Sequence, residues 1–423
     1  MRRSPTRRAC SVAVLAAVLL GSCGRTDPHP SVQRHADAPL SAVVRQDMRS
    51  VAAFWRRKMP VLYGDDLDPV ERIVAYRGST PRTFPRCNGV LADASSYVDN
   101  AIYCRLEHVI AYDAEGFERM RADHGPLAIG VVVAHEYAHA VQAQAGERGA
   151  TLGLELQADC FSGAWAATGT AARSKAPADL DAALRSLLDG ADAGGSLVDD
   201  PEGHGSSFDR VAAFSDGFHA GGSACLTYDT DPPLLAPIAS VGTPRWDGSI
   251  DSLTDALGTF WSTQGSRSVA AVTAVDDEHP DGCGSIGAST VPALCIVGGV
   301  VRYDDARLRG AAGRWSVGYP VAAAYGQVAL AQPDTGSKIG ASRIALATDC
   351  AVGAFVAAAA SDPIGEVRTD RRDLDEVVQA MAGFDPADLR PNRDGDVSLL
   401  DRVEALRVGV RGGLDDCAIT GAG

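Results

Sequence analysis

The strongest constraint on the fold is that the chain repeats itself. Phe54-Trp55 is matched by Phe260-Trp261, and Ala101-Ile102-Tyr103-Cys104 by Pro292-Ala293-Leu294-Cys295. Tyr112-Asp113 returns as Tyr303-Asp304, and the segment Ala158 to Trp165 returns as Thr348 to Phe355. Arg210-Val211, Gly221-Gly222 and Cys225 are answered by Arg402-Val403, Gly412-Gly413 and Cys417. The order is the same in both halves, and after the first match, which is offset by 206 residues, the offset stays near 190, the signature of a duplicated domain. Each half must therefore build one core of the same kind.

Cysteine placement sharpens this. Cys10 and Cys23 lie in an N-terminal segment that stands apart from the repeats, which leaves four of the ten cysteines at matching places in each half. Pairing within each half is the simplest solution: Cys87–Cys104 and Cys160–Cys225 in the first, Cys283–Cys295 and Cys350–Cys417 in the second. Four cysteines still permit three pairings per half. An even, matched set points to an oxidising compartment.

The N-terminus agrees with that compartment. Arg2, Arg3, Arg7 and Arg8 precede a short apolar run, Ala13 to Leu20, and then Leu20-Gly21-Ser22-Cys23. This reads as a bacterial lipobox, with residues 1–22 a cleaved signal and Cys23 the lipid carrier. An ordinary cleaved signal with an incidental cysteine is the alternative. Loss of residues 1–22 removes four arginines and no acid, taking the net charge from −15 to −19. An acidic ectodomain without a basic stripe excludes nucleic acid as a partner. No later apolar run is expected to reach membrane length. The domain reading is a lipidated tether at 23–40, a first repeat at 41–229, a proline-rich linker at 230–245 and a second repeat at 246–423.

Chemistry is concentrated in the first repeat. Pro126 to Gly146 reads as a helix, with proline in its first turn and glycine at its end. His135 and His139 are four residues apart and so share one face, where two imidazoles can bind one zinc ion. Glu136, beside the first histidine, can take a proton from a metal-bound water. Sixteen residues beyond His139 comes Glu155-Leu156-Gln157-Ala158-Asp159. Its Glu155 can complete a His₂Glu ligand set, and its Asp159 can accept the free imidazole N–H of a ligating histidine.

These motifs resemble the neutral zinc metallopeptidase family of bacteria. The resemblance runs from Tyr103-Cys104 through His135-Glu136-Tyr137-Ala138-His139 and Glu155 to Trp165, then on to His204-Gly205-Ser206, Arg210 and Cys225. It implies a zincin in which Glu155 is the third ligand and the active-site helix lies beneath a small sheet. The fold class expected is therefore α+β and predominantly helical, with two tandem zincin-like domains stapled by disulfides. His204 has two readings: a donor to the oxyanion formed when water attacks a carbonyl, or a cap for the helix that begins near Ser206. Arg210, repeated as Arg402, reads as structural.

The second repeat has lost the site. Its equivalent helix reads as Tyr319 to Gln332; with Tyr325 aligned to Tyr137, Ala323, Ala324 and Gln327 stand where His135, Glu136 and His139 stand. Ala345 replaces Glu155, and only Asp349 remains, opposite Asp159. Asn392 to Ser398 resembles part of a calcium loop, but Arg390 occupies the place of its first acidic ligand, so a polar turn is expected. The expected function is an extracytoplasmic, lipid-anchored zinc metallopeptidase acting on a peptide or protein substrate. The rival is a non-catalytic envelope scaffold that binds a partner through two similar domains, and a third reading is a latent peptidase regulated by its second half.

Overall fold

A computed structural model describes residues 39–91, 93–147, 149–168, 177–192, 203–229, 238, 245–264, 271–275, 294–297, 300–304, 313–330, 341–384 and 397–417. Among them are ten α-helices and two three-stranded sheets. The signal, Cys23 and the tether up to residue 38, Cys283, the calcium-like loop up to residue 396 and all of the linker except Ile238 and Arg245 lie outside the described residues.

The chain begins with helix α1 (Leu40–Leu62), whose Val44, Met48, Val51, Trp55 and Met59 recur at helical spacing and are buried. Strands β1 (Arg72–Tyr76), β2 (Ala101–Cys104) and β3 (Val109–Asp113) follow. They form a sheet in the order β1-β3-β2, with β1 parallel and β2 antiparallel to the central β3. All five residues of β3 are buried because both its faces are covered. Ile110 and Tyr112 face the helices, while Val109 and Ala111 join Tyr76, Tyr97 and the Cys87–Cys104 disulfide in a small second core.

Helix α2 (Ala114–Ala145) is longer than the sequence suggests. Asp113 caps it by accepting from the Glu115 N–H, and Gly125, at φ 76°, interrupts it. Pro126 then restarts the helix where a missing N–H costs nothing, and Gly146 ends it in the left-handed conformation at φ 74°. After it come α3 (Thr151–Ala167), α4 (Pro177–Asp189) and α5 (Ser207–Ala220). A disulfide joins Cys160 on α3 to Cys225, in the 3-10 turn that follows α5.

The C-terminal half presents the same order of elements: α6 (Ile250–Thr263), β4 (Ala271–Val275), β5 (Leu294–Val297), β6 (Val300–Asp304), α7 (Arg314–Leu330), α8 (Ala341–Ser361), α9 (Arg371–Gly383) and α10 (Leu399–Gly412). Its sheet runs β4-β6-β5, with β4 parallel and β5 antiparallel to β6. Cys350 on α8 is bonded to Cys417. Helix α7 starts five residues before the expected Tyr319. The expectation that no later run reaches membrane length is corrected. Ser342–Ser361 of α8 is long and apolar enough to cross a bilayer, but it is mostly buried within the protein, as a core helix is.

Helices α3 and α5 cross at almost backbone contact, which glycine alone permits. A Cβ on Gly163 would sit 2.1 Å from the Phe214 carbonyl oxygen, and one on Gly217 1.7 Å from that of Cys160. The α8–α10 crossing is built in the same way, by Gly353 against Leu406 and Gly409 against Cys350, at 2.2 and 1.8 Å. Gly217→Ala should force the helices apart at a cost of about 1–3 kcal/mol, measured by chemical denaturation.

Candidate active site

The second segment of α2 and helix α3 lie side by side, and each offers polar groups to the other. Although α2 is apolar almost all round here, it carries His135 and Glu136, both buried, and His139, which is partly buried. Their ligand atoms lie within 4.8 Å of one another. Glu155 reaches in from the first turns of α3. Its Oε2 is 3.1 Å from His135 Nε2 and its Oε1 is 3.4 Å from His139 Nε2, while the two Nε2 atoms are 3.2 Å apart.

Those separations test the donor set. Ligands about 2.0–2.1 Å from a tetrahedral zinc lie about 3.3 Å from one another. The two imidazole nitrogens, and each of them from its nearer Glu155 oxygen, are separated by about the edge of such a tetrahedron, so the donor set fits zinc. Glu136 points elsewhere: its Oε2 accepts the backbone N–H of Tyr103, on edge strand β2, at 2.7 Å. The two carboxylates are therefore distinguished by geometry, one among the donors and one beside them.

Each imidazole is oriented through its other nitrogen, as metal-ligating histidines are. His135 Nδ1 is 2.8 Å from Asp159 Oδ1, and His139 Nδ1 is 2.9 Å from Gln142 Oε1. Asp159 is fully buried and is held by Arg210, whose Nε and terminal nitrogen donate to its two oxygens at 2.8 and 3.1 Å. Gln142 donates in turn to the Leu154 carbonyl and to Gln157 Oε1. Sequence reasoning missed Gln142, although its place three residues after His139 puts it on the same helix face. It also read Arg210 as merely structural, whereas the guanidinium belongs to the network that aims His135.

Electrostatics suit a cation. Burial would lower the His135 imidazole, but the charge and hydrogen bond of Asp159, followed by Glu155, outweigh it and push it up to about 10. Burial would raise Glu155, yet the charges of His139 and His135 hold it well below the usual carboxylate range. Asp159 is likewise lowered, chiefly by Arg210 acting against its burial. Glu136 differs again, because desolvation dominates and raises its carboxyl.

His204 stands apart from this set. Its side chain is 49% exposed and lies 3.9 Å from Asp192. The capping reading is corrected: Ser206 caps α5, its hydroxyl accepting from the Asp209 N–H. His204 remains close enough for its charge to contribute to the lowering of Glu155.

The corresponding place in the C-terminal half is closed. Ala323, Ala324, Gln327 and Ala345 are buried. Asp349 is paired with an arginine, accepting from Arg402 Nε at 3.0 Å. Its other oxygen accepts from the Tyr319 hydroxyl rather than from an imidazole, and Arg402 also donates to that hydroxyl. Tyr319 lies one turn before Ala323 on the same helix face, and its longer side chain reaches Asp349.

Residues 83–228 match the family model described as "Putative neutral zinc metallopeptidase". The match takes in every site residue named above and the Cys87–Cys104 and Cys160–Cys225 disulfides. The chain is 32% identical to uncharacterized protein Rv2575 of Mycobacterium tuberculosis over 123 residues, 25% of this chain and 42% of that protein. It is 30% identical to uncharacterized protein YpfJ of Escherichia coli K12 over 184 residues, 37% of this chain and 61% of that protein. The chain thus spans less than two thirds of the length of these relatives. No solved structure matches it.

Proposed function

We propose that this chain hydrolyses peptide bonds with a zinc ion held by His135, His139 and Glu155. The observation that carries the reading is the convergence of these three donors at 3.1–3.4 Å, beside a buried carboxylate that is not one of them. Bound there, zinc would polarise a scissile carbonyl and draw the pKa of a water towards about 7. Glu136 takes the proton of the attacking water and passes it to the leaving amine. Burial, by raising its carboxyl, suits it to hold that proton between the two steps. Asp159 and Gln142 keep both imidazoles aimed at one point, and His204 is the proposed donor to the oxyanion.

The site is assigned to the first repeat, residues 41–229, with residues 246–423 as a second copy that has lost it. The two sheets of identical order and sense, the paired glycine crossings and the retained Asp349–Arg402 pair support that assignment. The protein is further placed outside the cytoplasm, tethered by lipid on Cys23. The N-terminal pattern and the three disulfides among the described residues, a kind of bond that persists in oxidising compartments, support this reading.

The test is zinc content per chain, determined beside cleavage of an unfolded protein. About one zinc per chain is expected, with cleavage lost on chelation and restored by zinc. A folded protein that takes up no zinc would overturn the reading.

A further inference from the structure

Helix α9 of the C-terminal half grips the first turn of α5, residue by residue. Asp375 Oδ1 accepts the Phe208 N–H at 3.1 Å, and Gln379 donates to the Ser207 hydroxyl at 3.1 Å. Arg371 donates to Asp209, a carboxylate that is fully buried and also bonded to the Ser206 hydroxyl. Four consecutive residues, 206 to 209, are thereby fixed by groups from the other half or by their immediate partners. The next residue is Arg210, which holds Asp159, which holds His135 Nδ1. The residues just before that turn are His204 and Gly205, with the Gly205 N–H on Asp192.

The contact is reciprocal. Asp181 of α4 accepts the Leu399 N–H at 2.7 Å, at the first turn of α10, just as Asp375 of α9 does at the first turn of α5. Arg402, three residues beyond Leu399, holds Asp349 just as Arg210 holds Asp159. Contacts that exchange in this way mark a two-fold pairing of similar units. The two arms end differently. One reaches an imidazole among the metal donors, and the other ends on the Tyr319 hydroxyl in a closed core.

We infer that the C-terminal half is a positioning element of the metal site, with Asp375, Arg371 and Gln379 setting the first turn of α5 and, through Arg210 and Asp159, the aim of His135. The inference rests on the zinc reading of His135, His139 and Glu155. It gives the half that has lost its ligands a role in the site of the other. It also specifies the direction of the dependence: the grip of α9 on α5 matters to the metal, whereas the equivalent grip of α4 on α10 does not.

That asymmetry supplies the test, made on the whole chain. Asp375→Ala and Arg371→Ala are compared with Asp181→Ala, which breaks the reciprocal bond to the first turn of α10 at the same interface. Zinc affinity is measured by competition with a chromophoric chelator. In metal-free protein labelled at histidine nitrogen, the hydrogen-bonded His135 Nδ1–H signal is followed. Asp375→Ala and Arg371→Ala should weaken zinc binding about 10- to 100-fold and broaden or remove the Nδ1–H signal. Asp181→Ala should leave affinity within about twofold and keep the signal, even if it costs similar stability. The milder Asp375→Asn and Gln379→Ala carry the comparison if Asp375→Ala does not fold. Equal affinities throughout, or an equal loss with Asp181→Ala, would overturn the inference. Should the parent chain take up no zinc, the peptidase reading falls. The Nδ1–H signal then still decides the positioning role: lost only in the α9 variants it stands, and kept in them it falls.

Discussion

Glu136→Gln is expected to lower kcat/KM for peptide cleavage about 100- to 10,000-fold, the usual contribution of a general base, while zinc content stays at the parent level. The amide of glutamine has the shape of the carboxylate and still offers an oxygen to the Tyr103 N–H, so the bond to strand β2 survives. It cannot take a proton from water. Because Glu136 is not one of the three converging donors, the metal should be retained. Stability should change little, since the buried polar group keeps its partner. Activity that survives would remove Glu136 as the base, and zinc lost along with activity would place Glu136 among the ligands.

Removing Asp159 should have two large effects at once. Its carboxylate is wholly buried between His135 Nδ1 and the Arg210 guanidinium. Asp159→Ala leaves Arg210 with the Gly190 carbonyl as its hydrogen-bond acceptor among the described residues, and stripping one partner from a buried pair costs about 3–5 kcal/mol. Zinc affinity should fall about 10- to 100-fold because the imidazole loses its orienting acceptor. Denaturant unfolding of the metal-free protein measures the first effect, and chelator competition the second. Asp349→Ala is the internal control. It breaks the Asp349–Arg402 pair and should lose comparable stability with little change at the metal, since the other oxygen of Asp349 accepts from the Tyr319 hydroxyl and not from an imidazole. If both variants lost zinc equally, the loss would report unfolding rather than orientation.

The separation of base from ligand bears on specificity of assignment. Glu136, which is buried, and Glu155, which is partly buried, are carboxylates near the same two imidazoles. Glu155 is held low by the histidines' charges, whereas Glu136 is raised by desolvation and anchored to a backbone N–H. Two acids with their environments pushed apart in this way suit two different roles, one binding a cation and one carrying a proton.

By itself the sequence determined which side chains could meet. Helical spacing puts His135 and His139 on one face, Glu155 and Asp159 on another, and Gln142 within reach of His139, because these are local consequences of the 3.6-residue turn. It also carried the cysteine matches and the alanines at 323, 324 and 345, which offer no side-chain ligand atom to a metal. Tertiary packing decided the rest. That the imidazole of His135 meets Asp159 and not another acid depends on how α2 lies against α3. That Glu136 turns to β2 depends on a backbone N–H, which no side-chain pattern records. The closure of α3 on α5 is set by glycines whose meaning appears only when two helices touch. The hold of α9 on the first turn of α5 joins Phe208 to Asp375, 167 residues apart in the chain. Periodicity reaches a few turns, whereas the bonds that orient His135 through Arg210 are drawn between elements that only folding brings together.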